Sequence, residues 1–305
     1  MTSTLQRGAQ IQVAAANAAY IQPNIYMSVN NGEVVDATIR FYAANVELGV
    51  GNARPLLQRN VPETIADIGE LDAEALLSFV GNDSGFITIL HDKSGNGRDA
   101  AQTTPTAQPR IVSNGVINSI NRRATLSFDD EDLMQRTNIG TVFSTPAGFE
   151  FQTVVDLVRL ATTGYTSLPV TVMNSPGNRV VDGYLTAGQP TAFGYLPGNS
   201  NISPAWPTFT AYDVSPVNAP PAIIGYNATS STATLFQNGV PTAVSIAPGT
   251  FAQSGITLTI GSRTDAFTKF PGNISEIVGF GGTLSTADRK ILERNRGAYY
   301  GITVA

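Results

Sequence analysis

The chain has no cysteine, one histidine and one tryptophan in 305 residues. Without cysteine there is no disulfide, no thiolate metal site and no thiol nucleophile, so packing alone must hold the fold. Charge is also sparse, with 18 Lys and Arg against 23 Asp and Glu and a formal net charge of −5. No run of Lys or Arg stands out. A nucleic-acid partner requires a basic patch facing the phosphates, and that class is excluded. No stretch approaches the roughly 20 apolar residues of a membrane-spanning helix. The Ala-rich run from Leu5 to Ile21 is broken by Gln and Asn, whereas a secretory signal needs an unbroken apolar segment of roughly 7–15 residues. The expectation is a chain made in the cytoplasm, with no signal peptide and neither nucleic acid nor membrane as partner.

What is present points to β-structure. Hydrophobic residues make up 42% of the chain, enough for a substantial core rather than a disordered segment. Twenty-nine glycines and 18 prolines punctuate short apolar or alternating runs such as FITIL, FEFQTVVDLV, LPVTVM, PAIIGY, ITLTIG and ISEIVGF. Asn31-Gly32 and Asn238-Gly239 are hairpin turn pairs, since both central positions of the favoured turn need positive φ. Leu71, Ala75, Leu76 and Phe79 predict a first helix over 71–81. A second helix closes the chain. Ser285 and Asp288 form its capping box, Ala287, Ile291, Leu292, Asn295 and Tyr299 trace one face, and Gly301 stops it. The fold class is therefore all-β: a β-sandwich or barrel with a C-terminal helix. Residues 1–50 differ from the rest and read either as extra strands or as an arm, giving an N-terminal segment at 1–50 and a sandwich at 51–305.

Several residues in order resemble a known family. Asp92, Ser94, Gly95, Asn96 and Gly97, then Gln108-Pro109, then Phe128-Asp129, follow the order found in laminin-G-like, concanavalin A-like jelly rolls. In style they are nearest to the α-L-arabinofuranosidase B catalytic-domain family and its phage-encoded relatives. The closing stretches LFQNGV, LTIGSR and FPGNISEIVGFGGTLSTADRKILERNRGAYYGI are similar to the last strands and helix of such domains. The resemblance spans about residues 55–303, with a weak middle from 160 to 225, and implies a jelly-roll sandwich. Leu90-His91 stands where the family carries an aromatic pair, and Asp130 where it carries glycine.

Four constellations bear on chemistry. His91, Asp92 and Ser94 have the residue types of a hydrolytic triad, but near neighbours at a strand end rarely converge, and no G-x-S-x-G elbow is present. Asp92, Asn96, Asp99 and Asp129 offer hard oxygen donors on glycine-rich turns, making Ca²⁺ the one cofactor to weigh against none. Glycoside hydrolysis needs a carboxyl pair about 5–9.5 Å apart; Glu150, Asp156, Asp182, Asp213 and Glu276 are the acids available, and no spacing selects two of them. Tyr184, Tyr195, Trp206 and Tyr212 lie among Gly, Pro and Asn, as aromatics that stack on sugars do, or as aromatics that pack over a sandwich do.

The resemblance to phage-encoded relatives, with no recognisable carboxylate pair, implies a virion component: a capsid-decoration, head-fibre or tail-associated protein. In that reading residues 1–50 bind other virion proteins, the chain forms a homo-oligomer (a trimer is the expected symmetry), and the jelly roll presents a lectin-like face to a surface glycan. The alternative is an arabinofuranosidase-like glycoside hydrolase.

Overall fold

The computed structural model describes residues 73–92, 94, 96–139, 148–157, 165–167, 169–175, 178–181, 184–186, 198–199, 220–229, 232–244, 255–262 and 269–305, with short strands at 28–29, 33–34, 39–42, 46–48 and 59–60. In chain order the elements used below are β1 (Ile39–Tyr42), β2 (Val46–Leu48), α1 (Ala73–Val80), β3 (Gly85–Leu90), β4 (Ala100–Ala101), β5 (Arg110–Ser113), β6 (Leu126–Ser127), β7 (Met134–Arg136), β8 (Phe149–Leu157), β9 (Val170–Ser175), β10 (Ala222–Ala228), β11 (Ala233–Gln237), β12 (Val240–Val244), β13 (Thr257–Ile260), β14 (Gly272–Phe280) and α2 (Thr286–Tyr300).

Two antiparallel sheets form the sandwich. The back sheet runs β12–β11–β10–β8–β14. The far edge of β14 is shared by β1 and β6, and β6 passes the pairing on to β5. The front sheet runs β9–β13–β7–β4–β3–β2. β3 belongs to both: Gly85 and Phe86 pair with β5 at the back, while Ile89 and Leu90 pair with β4 at the front. This is the β-sandwich that the strand pattern predicts, consistent with the jelly roll that the resemblance implies.

Alternation places Phe149, Phe151 and Val155 of β8 in the core, where side chains two apart share a face. Phe149, Phe151 and Tyr226 pack as a trio with ring centroids 5.7–6.2 Å apart. The other face of β8 is buried as well, because α2 lies across it: Glu150, Gln152 and Val154 are fully covered. A bulge in β14 tunes this arrangement. Val154 opposes Glu276 and Val155 opposes Ile274, so Ser275 has no opposite residue. One extra residue reverses the alternation. Ile274 and Ile277 both reach the core, while Glu276 is turned towards the helix.

Two glycine positions fix the frame. Asn238 (φ 50°) and Gly239 (φ 84°) make the predicted hairpin between β11 and β12. Gly261 (φ 79°) lies so close to Phe128 that an added Cβ would stand 2.1 Å from its ring.

The described strands β1 and β2 pair with the sandwich, β1 against Glu276–Gly279 and β2 against β3. These pairings are those of extra strands, one of the two readings the sequence leaves open for residues 1–50. The structure does alter one expectation. The closing helix is capped as predicted, by Ser285 and Gly301, but it buries a different face. Asp288, Arg289, Leu292, Glu293, Arg296, Gly297 and Tyr300 are buried, while Ile291 is 43% exposed. Apolar periodicity misplaces the face because the buried stripe is largely charged.

Candidate functional site

The His91–Asp99 loop is built around two carboxylates. Asp92 accepts from the Ser94 amide (2.9 Å), the Ser94 hydroxyl (2.8 Å) and the Arg98 amide (3.0 Å). Asp99 accepts from the Asp92 amide at 2.8 Å and lies 3.3 Å from His91 Nδ1. Asn96 donates to Ser94 Oγ at 2.8 Å. The described bonds pair Ser94 with Asp92 and His91 with Asp99, which is not the serine-to-histidine-to-aspartate order of a triad. Both oxygens of Asp92 are engaged by the loop itself, and Asp92 is nearly buried. The loop is held by side-chain-to-backbone bonds of the kind Asp and Asn make in turns.

The second acidic stretch is organised the same way. Asp129 accepts from the Glu131 amide at 2.9 Å, and Asp132 from the Asp129 amide at 3.1 Å. Among the described residues no group of three or more His, Asp or Glu side chains is placed to hold a metal ion. Asp92, Asp99 and Asp129, three of the four oxygen donors weighed for Ca²⁺, each accept backbone amides of their own turns. The other residues of the resemblance serve packing: Gln108 is 1% exposed and bonds Gln102 O, and Phe128 fills the space above Gly261.

Of the aromatic set, Tyr184 is placed on a short strand opposite Ser167. Tyr195, Trp206 and Tyr212 lie outside the described residues, as do Asp182 and Asp213.

Two of the remaining acids, Glu150 and Glu276, come together beneath α2. Arg289 donates to both oxygens of Glu150, Nε to Oε1 and Nη2 to Oε2, each at 2.7 Å. Glu150 also accepts from Gln152 Nε2 (2.9 Å) and the Leu284 amide (3.1 Å). Arg296 donates to Glu276 Oε1 at 2.8 Å and to Gln152 Oε1. All of these side chains are buried. Glu150 and Glu276 thus serve as counter-ions that dock the helix. A carboxylate with both oxygens taken up by a bidentate guanidinium has little acceptor capacity left for a substrate. Asp156, at the end of β8, has its carboxyl pushed above the usual range by burial, partly offset by its 3.4 Å contact with Asn273.

Sequence reasoning missed Arg289, Glu293 and Arg296. They stand at positions i, i+4 and i+7, one face of a helix. A periodicity search over charged as well as apolar residues would have found them.

No protein-family model matches the chain, and no curated protein matches it in sequence. Solved structures do resemble it. An arabinofuranosidase complexed with arabinofuranosyl-α-1,2-xylobiose superposes with a TM-score of 0.56 at 14% identity, over 87% of this chain and 62% of that one. A GH54 α-L-arabinofuranosidase soaked with a cyclic sulfate inhibitor gives 0.53 at 15% identity over the same shares. A Trypanosoma rangeli sialidase in complex with sialic acid gives 0.52 at 11% identity, over 97% of this chain and 38% of that one. The likeness is one of fold, a β-sandwich that glycosidases use. The chain spans 62% of the arabinofuranosidase chains and 38% of the sialidase chain.

Proposed function

We propose that this chain is a carbohydrate-active sandwich of the arabinofuranosidase type, with arabinofuranosyl glycosides as its ligand class. The observation that carries the reading is the fold likeness over most of the chain to an arabinofuranosidase holding an arabinofuranosyl xylobiose. One fold hosts several activities, so recognition and hydrolysis are distinct claims. Recognition is the stronger, since Glu150 and Glu276 are both committed to arginines. Turnover would have to draw on other acids, of which Asp156, Asp182 and Asp213 are the candidates from the sequence. The virion role implied by phage-encoded relatives has no counterpart among these solved neighbours, which are glycosidases.

The test pairs two assays on the full chain. Calorimetric titration with arabinofuranosyl oligosaccharides reads binding, and release of nitrophenol from an aryl α-L-arabinofuranoside reads turnover. Saturable binding supports the proposal, and turnover would extend it to hydrolysis. Silence in both assays, from folded protein, overturns it and returns the virion reading to first place.

A further inference from the structure

Among the described residues, five buried ionisable side chains meet between α2 and the sheet strands β8 and β14, three carboxyl groups and two guanidinium groups. Glu150 comes from β8, Glu276 from β14, and Arg289, Glu293 and Arg296 from the helix; each is at least nine-tenths buried. The two cations are assigned, Arg289 to Glu150 and Arg296 to Glu276. Among the described residues Glu293 Oε1 has no hydrogen-bond partner, and neither has Glu276 Oε2 or Arg296 Nη2. With all five ionised, these groups together carry one net negative charge. With one carboxyl protonated, the charges balance. Burying an unpaired charge is among the costliest arrangements in a fold, and the usual resolution is that the group takes up a proton.

We propose that Glu293 is the carboxyl that holds this proton, and that its ionisation as pH rises loosens the closing helix from the sheet. Burial, its largest influence, drives the Glu293 carboxyl up to about 7; Arg289 pulls it down, Glu150 pushes it further up, and Arg296 and Lys290 pull it down. Other strands bring further groups to this layer, among them one cation. Asn227 of β10 stands opposite Glu150 in register and Tyr42 of β1 opposite Glu276, with Arg40 of β1 opposite Val278. Phe236 of β11 lies under Arg289, 4.3 Å from the guanidinium carbon to the ring centre. Asp288, also buried on α2, is engaged with Ser285 at the cap.

The direction follows from proton linkage. A carboxyl that binds its proton more tightly in the folded state stabilises fully below its unfolded pKa. That contribution is lost as pH rises through the folded value. For Glu293 the window runs from 4.5, its ordinary value, to about 7. The inference concerns the closing helix alone and stands whether or not the sandwich binds sugar.

Thermal unfolding of the full chain and of Glu293→Gln, from about pH 5 to about pH 8, tests it. The wild type is expected to lose several degrees across this range. The amide variant, neutral at every pH, is expected to follow a flatter course and to melt above the wild type at the alkaline end. A variant curve parallel to the wild type, or a wild-type midpoint that is constant or rises with pH, overturns the proposal. If the variant does not fold, amide exchange on the wild type decides. Opening of residues 286–300 that grows above neutral pH relative to Thr257–Ile260 supports it, and equal behaviour of the two segments sinks it.

Discussion

Arg289 and Glu150, 139 residues apart in sequence, meet through two parallel bonds of 2.7 Å in a layer that water does not reach. Such a pair contributes little net stability against an apolar replacement, yet losing one partner strands a buried charge. Glu150→Ala is therefore expected to cost about 3–5 kcal/mol. The double variant Glu150→Leu/Arg289→Leu should recover most of that loss. Urea unfolding of the two variants beside the wild type reads both numbers, and a double variant no more stable than Glu150→Ala would contradict the assignment.

The loop at 92–99 should be indifferent to calcium. Asp92 already accepts three bonds from Ser94 and Arg98, so a cation would have to break them. Adding millimolar Ca²⁺, or chelating it with EDTA, is expected to leave the melting temperature where it was. Asp92→Ala, in contrast, should destabilise by about 1–3 kcal/mol through donors left without an acceptor. A clear Ca²⁺-dependent rise in midpoint would instead support the metal reading of Asp92, Asn96, Asp99 and Asp129.

Gly261 is a position where any side chain should fail. Its φ of 79° disfavours a Cβ, and Phe128 occupies the place a Cβ would take. Left-handed backbone alone costs a non-glycine residue about 1–3 kcal/mol. Gly261→Ala should exceed that range because of the ring. Adding Phe128→Ala to Gly261→Ala should cost less than the sum of the two single changes, since one removes what the other collides with. Strict additivity in chemical denaturation would show that the contact is not the cause.

The strands were legible from sequence because their buried faces are apolar and their turns carry Asn-Gly. The runs at 149–157, 222–228 and 272–280 all appear as strands where alternation or short apolar runs place them. The cap at Ser285 and the stop at Gly301 were readable for the same reason, since local chemistry specifies them. The role of Glu150 and Glu276 was not readable. An acid in a strand looks alike whether it faces a substrate or an arginine, and Arg289 is supplied by an element far along the chain. The bulge at Ser275, which turns Glu276 to the helix side, leaves no mark in the pattern of residue types.

Docking of α2 on β8 and β14 also dictates an order of events during synthesis. Glu150 and Glu276 are translated before Arg289 and Arg296, which supply their counter-charges. Until the helix leaves the ribosome tunnel, a nascent sheet that closed over those acids would trap them unneutralised. The outer face of β8 must therefore stay wet while the core face of Phe149 and Phe151 is free to collapse. Emergence of the helix completes this layer, and a nascent chain halted before it is expected to be the species that chaperones hold.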